Sequence, residues 1–190
     1  MPRLLRIVLL LAPLLSMGCA QPLHLRFDLA GIPRSQRLTD LRLAFVVDDA
    51  RQDLAALGRH RDGIARIPQH GYEATVPPEV AVRHAFEHAA LAQGARIVLP
   101  EQADYVLSAR IIALDVTTDG FWAGEDTAAD VVIDVFLSGR DGRIVFVERF
   151  EHTLENPQHA DAQVLSDAIL TVVNRATRRI PQRTRTLAAR

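Results

Sequence analysis

The alternation of apolar and polar residues in the second half of the chain constrains its fold most. In the run YVLSARIIALDV, Leu107, Ala109, Ile111 and Ala113 alternate with Ser108 and Arg110. A two-residue period puts one set of side chains on one face of an extended chain, so this run reads as a half-buried strand. Asp130 to Ser138 repeats the pattern with Val131, Ile133, Val135 and Leu137 around Asp134. Gly139-Arg140-Asp141-Gly142 then leads into a third strand, Arg143 to His152. Asp-Gly readily takes the positive φ that a tight hairpin turn requires. Long strands in succession demand a sheet, and the rest of the chain must cover its apolar face.

Two segments have the period for that role. Pro77-Pro78-Glu79 opens a helix through Gln93, because Pro is tolerated in the first turn and an early carboxylate suits the helix dipole. Its apolar stripe is Ala81, Val82, Ala85, Phe86 and Ala89, and Gly94 stops it. From Ala160 to Ile180, Leu165, Ala168, Ile169, Val172, Val173, Ala176 and Ile180 trace a second helical face. Leu41 to Val47 fits a central strand and Ile97 to Leu99 a short one. Between Ala50 and Pro78, Gly58, Gly63, Pro68 and Gly71 predict an extended loop holding short β pieces such as Ile64 to Ile67. The link from Thr118 to Asp126 also reads as a loop.

The expected architecture is therefore α+β: two layers, a mainly antiparallel sheet of about four to six strands, and two helices packed on one face. Residues 41–181 form a single domain in this reading. Residues 19–40 form a tether with an edge strand near Leu23 to Phe27, and 182–190 form an Arg-rich tail.

The N-terminus carries an address. Arg3 and Arg6 precede an apolar stretch from Ile7 to Leu15, broken by Pro13, and Ser16, Met17 and Gly18 lead to Cys19. This is the three-part layout of an export signal over residues 1–18, too short for the roughly 20 residues that span a bilayer. The chain has one cysteine, so no internal disulfide can form and the exported domain must be held by packing. Ser16-Met17-Gly18-Cys19 resembles the lipobox of bacterial lipoproteins, in which the Cys becomes the lipid-modified mature N-terminus. The resemblance implies fatty acyl chains on Cys19 and, because Ala20 rather than Asp follows, the outer membrane in preference to the inner. Ordinary cleavage after Ala20 is the competing reading, and it would discard Cys19.

Net charge is −1 with all 22 basic residues Arg, which gives no sequence-wide drive toward nucleic acid. His84, Glu87 and His88 match the HxxEH pattern of inverted zinc peptidases, with the histidines one helical turn apart. They fall opposite the Val82/Phe86 stripe, so a solvated helix face is the preferred reading and a zinc hydrolase the alternative. Asp48, Asp49 and Arg51 close the first long strand, where they either meet a partner or form an ion pair that shapes the turn. Phe121 and Trp122 form either an exposed aromatic anchor or a flap over the sheet edge. No nucleophile elbow, phosphate loop or CxxC is present in the sequence. No cofactor or resident metal is expected.

LRLAFVVDDAR with Leu57-Gly58, the helix ending at Gly94, the Ala103-Asp104 entry to a long strand and the terminal amphipathic helix together resemble the YajG family of bacterial lipoproteins. That family has no assigned catalytic residues, so the resemblance implies location and fold. The expected function is a non-enzymatic envelope lipoprotein, held at the membrane by lipid on Cys19 and facing the periplasm. Asp49, Arg51, Phe121 and Trp122 are its candidate contacts to an envelope protein or glycan. An auxiliary lipoprotein of a transport or assembly complex is the alternative within that class.

Overall fold

A computed structural model describes residues 21–27, 32, 34–35, 37–54, 57–62, 67–121, 124–155 and 161–188. Its spine is β6, Tyr105–Phe121, paired along one whole edge with β7, Gly124–Gly139, which in turn pairs with β8, Ile144–Glu155. These antiparallel hairpins are the ones the alternation predicts. They are longer, because the expected loop at 118–126 is strand on both sides: Phe121 pairs with Gly124. The turn after Gly139 closes with Gly142 at φ 77°.

The other edge of β6 departs from the expected meander. Its first half pairs in parallel with β2, Arg42–Asp49, and its second half in parallel with β3, Gly58–Asp62. The described sheet has eight strands and is mixed, in place of the mainly antiparallel four to six expected. The cause is helix α1, Pro78–Ala92. A helix lying between β2 and β6 in sequence carries the chain back to the starting end of the sheet, so the returning strand runs parallel. The expected loop from Ala50 to Pro78 holds β3 and β4, Ile67–Ala74, an antiparallel pair. β1, Gln21–Leu23, adds in parallel to β4, and β5, Arg96–Ile97, in parallel to β2.

At the point where β6 changes neighbours, its own phase slips. A bulge between Ile111 and Ala113 shifts the pairing with β7, so the buried series runs Leu107, Ala109, Ile111 and then Leu114 and Val116, not Ala113. One extra residue re-aims every side chain after it.

α1 and α2, Asp161–Ala188, share one face of the sheet, as expected. Phe86 of α1 stacks on Phe45 of β2 with ring centroids 6.0 Å apart. Leu165, Ile169, Val172, Val173, Ala176 and Ile180 of α2 are fully buried in the same core as Val131, Ile133, Val135 and Leu137 of β7. The expected tail from 182 is instead a continuation of α2 past Pro181, held by buried Thr184. The described residues of the expected tether are likewise part of the body: the edge strand forms two residues earlier than predicted, and Leu23, Ile32 and Leu38 belong to the core.

Among the described residues, the opposite face of the sheet carries no helix. Asp48, Arg110, Asp134 and Arg149 lie in register on it, one from each of β2, β6, β7 and β8, with Arg149 Nε 2.6 Å from Asp134 Oδ1 and Arg110 Nε 4.0 Å from Asp48 Oδ2. Arg149 holds the Asp134 carboxyl below its ordinary range.

Candidate functional site

The end of β2 is where the sequence placed its charged candidates. Asp48 turns to the open face and Asp49 to the helix side, as alternation requires. The Ala50 N–H still reaches the Ile111 carbonyl at 3.0 Å, and the chain then leaves β6. Arg51 folds back onto Asp49: its Nε donates to Oδ1 at 2.9 Å, its Nη2 to Oδ2 at 2.8 Å, and its backbone N–H to Oδ1 at 3.3 Å. The side chains are only 5% and 12% exposed, so this forked pair works in a low dielectric. The geometry is that of the turn-shaping ion pair. Both charges are turned inward to each other.

Beside this turn lies an open cleft of about 730 Å³, lined by Val47, Asp48, Leu54, Glu73, Thr75 and Glu79 among others. With Asp49 engaged by Arg51, its outer charges are the Asp48, Glu73 and Glu79 carboxylates. A second cleft, about 590 Å³, opens where the described chain begins, between β1, the start of α2 and Tyr72. Leu23 and Tyr72 form its apolar floor. Beneath it, Tyr72 Oη donates to Thr118 Oγ1 at 3.4 Å, and Thr118 and Thr127 hydroxyls lie 3.3 Å apart, a buried polar group within the β6–β7 hairpin. This cleft is not legible in the sequence, because its walls come from residues about 50 and 140 positions apart.

His84 and His88 are exposed on the outer face of α1, and Glu87 between them approaches Arg83 Nε at 3.8 Å. Their solvated placement is the one the apolar stripe predicts. Among the described residues no group of three or more His, Cys, Asp or Glu side chains gathers in a way that could hold a metal. Phe121 ends β6, its side chain outside the described set, and Trp122 and Cys19 lie outside the described residues. Among the described residues no helix is long and apolar enough to cross a membrane.

His152 was not singled out by the sequence. It lies on the helix side of β8, where burial first, and Arg175 second, lower the imidazole pKa. Arg42 grips Asp104 across β2 and β6, with Nη2 2.6 Å from Oδ1, and this hydrogen bond lowers the Asp104 pKa. The pair pins the start of β6, the position that the sequence marks with Ala103-Asp104.

No family model matches the chain, and no curated protein matches it. Among solved structures, a Xanthomonas campestris protein of family DUF330 superposes with a TM-score of 0.60 at 11% identity, covering 90% of this chain and 100% of that one. The fold is therefore shared with that protein. A minor lipoprotein from Acinetobacter baumannii overlaps more loosely, with a TM-score of 0.40 at 11% identity over 76% of this chain and 90% of that one. The likeness to the Xanthomonas protein establishes an architecture, and the finer resemblance to the YajG family is not among what it shows.

Proposed function

We propose that this chain is a non-enzymatic lipoprotein of the bacterial envelope, anchored by lipid on Cys19 and binding another envelope component. The observation that carries the reading is the position of Cys19. It is the chain's one cysteine, it follows an export-type segment, and it stands two residues before the first strand at Gln21. Two extended residues reach about 7 Å. With lipid on Cys19, the body would sit against the headgroups, with the cleft around Leu23 and Tyr72 beside the bilayer. Several acyl chains, each contributing about 0.8 kcal/mol per buried methylene, make such attachment effectively permanent.

One observation weighs against the zinc alternative: His84 and His88 project from a helix surface rather than into a cleft. The inward Asp49–Arg51 pair leaves the two clefts as the surfaces for a partner.

The test is Cys19→Ser in cells grown with a labelled fatty acid. The expected result is an unprocessed precursor without label, while the parent chain carries label on an N-terminal Cys19. A mature terminus beyond residue 19 without fatty acid overturns the anchoring. For partner binding, photo-crosslinkers at Glu73 and at Gln163, one in each cleft, should capture a discrete envelope component from intact cells, and capture at neither position would count against both surfaces.

A further inference from the structure

Among the described residues β8 has one strand neighbour, β7, so the opposite edge of its 12 residues is unpaired by any other strand. The sequence along that edge is self-complementary. Laid antiparallel against itself with Phe150 opposite Phe150, it sets Arg149 opposite Glu151, Glu148 opposite His152, Val147 opposite Thr153 and Phe146 opposite Leu154, each twice, with Val145 opposite Glu155 at the outer end. Cross-strand neighbours of this kind lie about 4.5 to 5.5 Å apart at Cβ, where opposite charges and apolar pairs stabilise and like charges repel.

We propose that β8 pairs antiparallel with β8 of a second copy of this chain, extending the sheet across a two-fold axis at Phe150. Registers that keep both copies' helices on one face differ by two residues per slip of the axis by one position. A slip toward the N-terminus puts Arg149 opposite Arg149 and Glu148 opposite Phe150. A slip the other way puts Glu151 opposite Glu151 and Glu148 opposite Leu154. The register centred on Phe150 thus avoids the like-charge contact that each neighbouring register creates on its axis.

The surroundings fit this arrangement. Val147, 56% exposed in the single copy, would lie beside Thr153 of the second copy. Glu148 already meets Arg179 at 3.4 Å, and Arg149, held by Asp134, lies exposed on the same face as Glu151. Arg175 Nη1 touches the Glu151 carbonyl at 3.4 Å, a long contact that the incoming strand's N–H can replace. The interface does not depend on the anchoring reading.

Sedimentation of the whole chain in detergent micelles tests the proposal. The parent should form a concentration-dependent dimer. Glu151→Arg, which leaves Asp134 and its partner untouched, should raise the dimer dissociation constant about tenfold through two like-charge contacts, and Arg149→Glu should act in the same direction. Combining the two should restore dimerisation, although Arg149→Glu still opposes Asp134 within the chain, which separates the interface effect from any loss of fold. Cysteines placed together at Val147 and Thr153 lie about 20 Å apart in one strand, so oxidation should link two copies and not one. The parent chain with Cys19 alone is the control. A parent that stays monomeric at every concentration overturns the proposal, as does a dimer indifferent to both single charge changes.

Discussion

Gly58 sits against the backbone of Val116 so closely that a Cβ on Gly58 would fall 1.8 Å from the Val116 carbonyl oxygen and 2.6 Å from its nitrogen. This approach joins the β3–β4 pair to the second half of β6. The Val116 N–H donates to the Leu57 carbonyl at 2.8 Å, and Gly58 itself adopts φ 138°. The three nearest atoms all belong to the Val116 backbone, so they cannot rotate aside.

Gly58→Ala should therefore destabilise the protein by more than about 3 kcal/mol, or prevent β3 from docking at all. Gly142→Ala is the matched control, since Gly142 has φ 77° but nothing within 4 Å of its added Cβ. It should cost about 1 kcal/mol. Urea unfolding of both variants checks the contrast, and equal losses would mean that the close approach carries no energy.

Removing either member of the Asp49–Arg51 pair leaves the other charge buried. Arg51→Ala and Asp49→Ala should each cost about 3 to 5 kcal/mol, whereas replacing both with apolar residues of similar volume should cost less than either alone. Chemical denaturation of the three variants gives the coupling. Additive losses would show that the two side chains act independently.

Phe86 joins α1 to β2 through its stacked contact with Phe45. Truncating it to Ala opens a cavity beneath the helix and should cost about 3 to 5 kcal/mol. Thermal unfolding followed by circular dichroism reads this directly, and a loss below about 1 kcal/mol would indicate that α1 docks without that ring.

His152 has its folded pKa below the ordinary 6.5, with burial the larger cause and Arg175 the smaller. The folded state then binds this proton less readily than the unfolded chain does. The associated stability is complete above pH 6.5 and is lost as pH falls from there through the folded pKa. His152→Gln should flatten the pH dependence of the unfolding midpoint across that window. Arg175→Ala should move the imidazole resonance only part of the way back in an NMR titration, because burial remains.

Elements with strong local periods are legible without the fold. Val131 to Leu137 and the stripe from Leu165 to Ile180 could be assigned to faces before any partner was known, because a side chain's facing depends on its spacing along one segment. The Asp49–Arg51 turn was legible for the same reason, with two residues at a separation that closes a local ion pair. The tertiary structure alone decided that β2 and β3 share one edge of β6, because parallel pairing between distant segments leaves no periodic trace in either. It also decided the phase slip after Ile111, where a bulge answers to strand neighbours and not to the local pattern. The cleft between Leu23, Tyr72 and the start of α2 belongs to the same class: packing brings together what the chain keeps far apart.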